Sequence, residues 1–259
     1  MREILDGKKI CKVCGKPIEV IIKTDTETIT KPCMCDCKRN QLVQERLEEE
    51  RRDLERRKDR CFLGSERLKE ATFETSESIK EHTLARSYAE SFEAMQRKGK
   101  GLLFYGRVGS GKSHTAACIA NRVLEQGKKV LMVNIPELVR LTQKESAEKF
   151  DTIGNLRKYD LIILDDFGVE RKTEYMQEKV FAIVDGCYRA KQSMIVTTNL
   201  TGEDLNNPPT VKEARIYDRI LEMCLPVEFK GASRRRAKMK AEYTEMREFL
   251  EAEHEHTPD

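Results

Sequence analysis

From residue 101 onward the chain alternates short apolar runs with longer mixed segments. The runs GLLFYG (101–106), KVLMVNI (129–135), YDLIILDD (159–166) and SMIVTTNL (193–200) are continuously apolar over most of their length, as expected of short strands covered on both faces. The segments between them, 112–126, 136–150 and 173–190, are long enough for helices. Strand and helix taking turns predicts an α/β fold with a parallel sheet between helices. A fifth strand, LPVEF (225–229), follows a helix near 212–223, and a last helix is predicted from Ser233 to about Ala252, before the polar tail EHEHTPD.

The first hundred residues have a different texture. Residues 38–63, KRNQLVQERLEEERRDLERRKDRCFL, are mostly charged, rich in helix formers and free of Gly and Pro, which predicts one helix. Val43, Leu47, Leu54 and Cys61 are spaced by 4, 7 and 7 and form a thin apolar seam. A solvated spacer held by i,i+4 pairs such as Glu48–Arg52 accounts for such a helix, and so does one that packs on a partner through the seam. Ahead of it, PIEVIIKTDTETITKP leans toward β structure and is flanked by cysteines. The organisation expected is a module over 1–37, a charged linker helix over 38–67 and a nucleotide-binding domain over 68–259.

Composition narrows the setting. Apolar residues make up 39%, enough for a sizeable core, while 36% of the residues are charged, above the usual quarter, so long solvated surfaces are expected. With a net charge of only +3, any basic face must be local. No apolar run approaches the roughly 20 residues of a membrane span, and MREILDGKKICKVCGK lacks the apolar stretch of a signal peptide. A cytoplasmic protein without a membrane partner is the expectation. In that reducing setting, clustered cysteines point to metal more than to disulfides. Five of the nine cysteines fall in the first 37 residues, and Cys61, Cys118, Cys187 and Cys224 are expected to be small buried hydrophobes.

The strand at 101–106 ends in GRVGSGKS, which fits G-x-x-x-x-G-K-[ST] in full: Gly106, Arg107, Val108, Gly109, Ser110, Gly111, Lys112 and Ser113, with His114 next. It follows a strand and opens a helix, so inward-turned backbone N–H groups and the helix N-terminus can cradle phosphates. Lys112 is expected on the β- and γ-phosphates of ATP and Ser113 on Mg²⁺. Asp165 and Asp166 end another strand, where ligands of open α/β sheets gather. Asp165 is the expected Mg²⁺ partner, and Asp166 is placed to orient or deprotonate the attacking water. Asn199, with Thr198 as a possible companion, ends the next strand and can reach the γ-phosphate or the water. Arg215 and Arg219 share a helix face, suited either to charge stabilisation of phosphoryl transfer or to surface salt bridges with Glu213, Asp218 and Glu222.

At the N-terminus, Cys11-x-x-Cys14-Gly is a knuckle whose two thiolates can grip one Zn²⁺. CMCDC offers three thiols, Cys33, Cys35 and Cys37, for two remaining places. Thirty-seven residues without Trp or Phe have little with which to build a core, and a structural zinc would supply the missing stability. Free thiols are the alternative; an iron–sulfur cluster has no redox context here. Residues 230–240, KGASRRRAKMK, carry six basic residues and no acid, a segment suited to the backbone of single-stranded DNA, with Phe150, Tyr159 and Tyr175 as weak stacking candidates.

P-loop, Asp-Asp, strand-end Asn and late arginines follow the order of AAA+ ATPases. Within them, GRVGSGKSH, LIILDDFGVE, MIVTTNL, RIYDRI and EFKGASRR resemble the DnaC/DnaI-type replicative helicase loaders and the related IstB transposition ATPases, over about residues 70–240. The N-terminal cysteines and charged helix resemble loaders of the bacteriophage and Gram-positive type. The resemblance implies that Asp165 and Asp166 are the Walker B acids, Asn199 is sensor 1, Arg215 is the finger that completes a neighbour's ATP site, and Arg235 is the sensor 2 arginine, with Arg234 or Arg236 in its place if the register slips. It favours Cys35 and Cys37 as partners of Cys11 and Cys14, with Cys33 and Cys37 as the alternate pair. It also implies ATP, Mg²⁺ and Zn²⁺ as cofactors, a hexameric helicase gripped through residues 1–63, contact with single-stranded DNA, and self-association through the ATP site. Two departures matter. Asp at 166 is shorter than the usual Glu, so turnover is expected to be slow, and too little chain follows Phe229 for a full helical lid.

Overall fold

The computed structural model describes residues 3–6, 9–24, 26–63, 66–74, 80–144, 156–168 and 173–255. The chain divides into two compact units, 1–55 and 56–259. In the first, strands β1 (Glu3–Asp6), β2 (Glu19–Lys23) and β3 (Thr28–Pro32) form an antiparallel sheet in the order β1-β2-β3, with Ile22 opposite Ile29. The β2–β3 hairpin is closed by Thr24, whose hydroxyl accepts the Glu27 N–H at 3.0 Å. Helix α1 (Asp36–Cys61) begins directly after Cys35 and carries Cys37 in its first turn. Among the residues 9–55 whose exposure is described, only Cys35 is buried, so the β-leaning stretch folds without an apolar core of its own.

The second unit is built on five parallel strands: β4 (Gly101–Gly106), β5 (Val130–Asn134), β6 (Leu161–Phe167), β7 (Ser193–Thr198) and β8 (Cys224–Phe229), in the order β5-β6-β7-β4-β8. All five coincide with the apolar runs to within a few residues at their ends. Around them lie α2 (Lys80–Glu90), α3 (Phe92–Lys98), α4 (Lys112–Glu125), α5 (Ile135–Lys144), α6 (Glu174–Arg189), α7 (Gly202–Asn206), α8 (Val211–Met223) and α9 (Arg234–Glu255). The helix expected over 136–150 is described only to Lys144; 145–155, Phe150 among them, lie outside the described residues. Of these helices, α2 and α3 lie upstream of the alternating pattern and were not anticipated from it.

Continuous apolar runs are needed because each strand buries alternate side chains on opposite faces. Leu103, Leu131, Val133, Ile162, Leu164 and Val196 pack with Val180, Ile183 and Val184 of α6 and with Ile216 and Ile220 of α8. The residues between them, including Leu102, Phe104, Met132, Ile163 and Ile195, are buried as well. Fully burying one such side chain stabilises the fold by about 1.5–3 kcal/mol.

The apolar seam read along α1 does not hold together as one face. Val43 and Leu47 are 49% and 52% exposed, whereas Cys61 is wholly buried. The last turn of α1 belongs to the second unit: Phe62 bridges to Met132 of β5, the Leu63 N–H donates to the Met132 carbonyl at 3.2 Å, and Arg57 donates to the Leu124 carbonyl at 2.9 Å. Cys61, Cys118, Cys187 and Cys224 are all buried among apolar neighbours, as expected, and burial pushes the Cys61 and Cys187 thiols up to about 12.

Candidate nucleotide site and cysteine cluster

Strand β4 ends at Gly106, and α4 starts six residues later at Lys112, so residues 106–111 form a tight loop at the strand's C-terminal end. Glycine is required at two places. Gly106 has φ +122°, and a Cβ there would sit 2.6 Å from the Phe229 carbonyl oxygen; Gly109 has φ +77°, and its Cβ would sit 2.3 Å from the Ser233 hydroxyl. The chain after β8 is therefore tight against the loop, and the Arg234 N–H donates to the Gly109 carbonyl at 2.9 Å. Within the loop, Ser110 is buried with its hydroxyl donating to Arg107 O, while Arg107 and Val108 are exposed.

Lys112 is only 5% exposed. Its ammonium donates to Gly106 O at 2.9 Å, Arg107 O at 2.8 Å and Asn199 Oδ1 at 2.9 Å. The sheet order explains the last contact: β7, which ends just before Asn199, lies between β4 and β6. Burial pushes the Lys112 pKa down, and the carboxylates of Asp166 and Asp165 oppose that shift. Asn199 is thus joined to the loop through Lys112. Thr198 is not available as its companion, because its buried hydroxyl donates to Phe167 O at 2.7 Å and accepts the Leu200 N–H at 3.1 Å.

Asp165 is buried at the end of β6, and Asp166 is exposed. Burial pushes the Asp165 carboxyl upward, while hydrogen bonds from Thr197 and Ser113 favour its ionised form. Ser113 and Asp165 therefore meet, and their oxygens are the hard donor set that Mg²⁺ takes. Asp166 has φ +53°, a left-handed conformation that Asp tolerates better than most residues. Thr197, which the motif reading passed over, contacts both acids.

The late arginines separate into distinct roles. Arg219 pairs with Asp185 at 2.9 Å and lies over the Phe181 and Tyr188 rings, fastening α8 to α6. The partner of Arg219 is thus Asp185 of α6, in place of the expected Glu213, Asp218 or Glu222. Arg215 is exposed, and among the described residues its guanidinium has no partner. Of the arginines in ASRRR, Arg235 is the one whose charge acts on Lys112. The Arg234 side chain lies over Gly111 and faces His82 and His114. His114 is half-buried, and burial pushes its pKa down. His82 was missed from sequence: its Nε2 lies 2.9 Å from Thr115 Oγ1, whose own proton goes to Gly111 O. Burial pushes His82 down to about 4, so the neutral ring donates from Nε2.

In the N-terminal unit the Sγ atoms of Cys11, Cys14, Cys35 and Cys37 all lie within 4.8 Å of one another. The edges of a tetrahedral zinc–thiolate site measure about 3.8 Å, given Zn–S bonds near 2.3 Å. Cys33 is not among these four; its thiol donates to the Pro17 carbonyl at 3.5 Å. The knuckle turn presents Cys11 and Cys14, and the first turn of α1 presents Cys37, with Lys16 and Asp36 paired across the two segments. Backbone N–H groups of Cys14 and Val13 lower the Cys11 thiol to about 6, while the neighbouring thiols push Cys37 upward.

A family model described as IstB-like ATP binding protein matches residues 25–242. The chain belongs to the IstB-like ATP-binding protein family. Among relatives of this family member, the replicative helicase loader DnaI of Bacillus subtilis (strain 168) is 29% identical over 151 residues, covering 53% of this chain and 48% of DnaI. The replicative helicase loader DnaC of Escherichia coli (strain K12) is 28% identical over 140 residues, covering 52% and 55%. The chain thus spans about half the length of these curated relatives. A crystal structure of DnaI, 27% identical, superposes with a TM-score of 0.56 over 69% of this chain and 99% of that one. The IstB-like fold is thus an AAA+ type α/β domain. No helix among its described residues is long and apolar enough to cross a membrane.

Proposed function

We propose that the chain is an ATP-dependent loader of the replicative DNA helicase, delivering the helicase ring onto single-stranded DNA, with ATP binding and slow hydrolysis controlling assembly and release. What carries this reading is the combination, in a relative of DnaI, of a complete P-loop site with a four-cysteine module that runs into a helix bearing the exposed Leu42, Val43 and Leu47. In this reading residues 1–37 are a zinc module, 38–67 a linker helix and 68–259 the ATPase. The loop N–H groups and Lys112 bind the phosphates of ATP as substrate, and Ser113 and Asp165 hold Mg²⁺, which supplies charge neutralisation. Asp166 orients or deprotonates the attacking water. Its carboxylate is one methylene shorter than the usual Glu, which keeps turnover slow. Asn199 holds the Lys112 side of the site, Arg235 stabilises charge within the chain, and Arg215 does so from a neighbouring subunit.

Zinc is the metal assigned to Cys11, Cys14, Cys35 and Cys37, since four clustered thiols suit it and the unit lacks a core. Part of the basic 230–240 segment is committed elsewhere: Lys230 pairs with Glu228 at 3.2 Å and Arg234 lies on the loop. The exposed Arg236 and Lys240 are left for single-stranded DNA, beside the ATP site. Of the stacking candidates, Tyr159 is packed against the core, and Tyr175 is exposed.

Two experiments test the scheme. In a pull-down, the full-length chain is expected to recover a hexameric helicase, and deletion of residues 1–63 to lose it. Recovery of a transposase independent of that module would establish instead the second reading, an IstB-like transposition ATPase, for which a relative named as a putative insertion sequence ATP-binding protein speaks. For the shared site, Lys112→Ala and Arg215→Ala are each expected to be inactive alone, and their mixture to regain a measurable fraction of wild-type hydrolysis. An Arg215→Ala chain keeps an intact loop that a Lys112→Ala neighbour can complete. A mixture as inactive as its components removes Arg215 from the neighbour's site.

A further inference from the structure

Strands β6 and β7 run in register from Leu161–Ser193 to Leu164–Val196, and then the register shifts so that Phe167 pairs with Thr198. Between these pairs β6 has two residues, Asp165 and Asp166, and β7 has one, Thr197. Two against one is a β-bulge, which takes a backbone N–H out of the ladder and bends the strand. Both consequences need compensation. The displaced Asp166 N–H must find another acceptor, and a carboxylate buried beside the sheet needs a donor.

One side chain meets both needs. The Thr197 hydroxyl is fully buried, donates to Asp165 Oδ1 at 2.6 Å and accepts the Asp166 N–H at 3.0 Å. Its single proton and a lone pair are both used. The bond to Asp165 is short, as charge-assisted hydrogen bonds are. The bond from Asp166 lies on the residue held at φ +53°. A valine of the same shape would suit a strand whose neighbouring residues are Ile195 and Val196, so packing alone does not call for a hydroxyl here.

We propose that Thr197 is the positioning residue for the hydrolytic site, fixing the Asp165 carboxylate toward Ser113 and the bulge that presents Asp166. This rests on the nucleotide-site reading above. Buried and bonded to Asp165 Oδ1 and the Asp166 N–H, the Thr197 hydroxyl acts through the two acids. Its loss should therefore spare the phosphate cradle and impair what depends on Mg²⁺ and on water.

The test uses full-length Thr197→Val and Thr197→Ser, with ATP binding measured in EDTA and across a Mg²⁺ titration, and hydrolysis measured alongside. Thr197→Val is expected to bind ATP in EDTA within about twofold of wild type, to need about tenfold more Mg²⁺ for half-maximal enhancement of binding, and to lose about ten- to a hundredfold in kcat, the scale of one lost charge-assisted hydrogen bond. Thr197→Ser is expected to remain within about threefold of wild type in each measurement, because it keeps the hydroxyl. Unchanged Mg²⁺ dependence in Thr197→Val overturns the proposal, and so does a Ser variant as impaired as the Val variant. Should Thr197→Val fail to fold, Thr197→Ala is measured in the same way against the same outcomes. Lys112→Ala separates the two levels. If it binds ATP like wild type, the nucleotide-site reading itself falls; if it loses ATP while Thr197→Val keeps its Mg²⁺ dependence, only the role of Thr197 falls.

Discussion

Lys112→Ala is expected to weaken ATP binding by at least about a hundredfold and to take hydrolysis below detection, the scale of losing a preorganised charged donor from a desolvated site. The ammonium is buried and donates to Gly106 O, Arg107 O and Asn199 Oδ1, so the loop itself holds the charge. Burial lowers its pKa, and the carboxylates of Asp166 and Asp165 offset only part of that shift. An alanine removes the charge and strands three acceptors. Nucleotide binding followed by fluorescence, with a thermal melt to confirm folding, checks the outcome. Wild-type affinity in a folded Lys112→Ala chain would refute the site.

Zinc removal should have the second largest effect. Purified full-length protein is expected to carry about one zinc per chain, since one set of four thiols forms one tetrahedral site. Serine at Cys11, Cys14, Cys35 or Cys37 should abolish retention of the metal, and Cys33→Ser should keep it. In the first unit Cys35 is the one buried residue among those with described exposure from 9 to 55, so metal binding is its main source of stability. A strong chelator should therefore unfold the β1–β2–β3 sheet, seen as loss of amide protection there, while the fold of the second unit persists. Metal analysis gives the primary reading. Protein free of zinc as purified under non-chelating conditions, with Cys11 and Cys14 open to alkylation in the folded chain, would refute the module.

Much of this was legible in the chain because it is local. Five apolar runs became the five strands of one parallel sheet, since a strand buried on both faces has to be apolar at nearly every position. The P-loop was legible because its function lies in backbone conformation, and only glycine fits where Gly106 meets the Phe229 carbonyl. The cysteine knuckle was legible because ligands close in sequence can share one ion. What was misread depended on distant partners. Cys61 has the spacing of a seam residue, but the docking of Phe62 on Met132 takes it into the core. Thr198 and Thr197 look interchangeable in VTTNL, yet strand pairing gives one to Phe167 O and the other to the two acids.

The sequence by itself therefore determined the fold class, the phosphate loop, the paired acids and the presence of a cysteine knuckle. Each follows from residue type at short spacing, where periodicity and backbone sterics act. Tertiary structure alone decided three further matters. It placed the sulfurs of Cys35 and Cys37 beside those of Cys11 and Cys14, because closeness of sulfurs is a matter of space. It assigned Arg219 to the α6–α8 contact and left Arg215 exposed, because two arginines four residues apart are equivalent until one meets Asp185. It also set Thr197 beneath both acids, because a bulge arises from the pairing of two strands and cannot be read from either one alone.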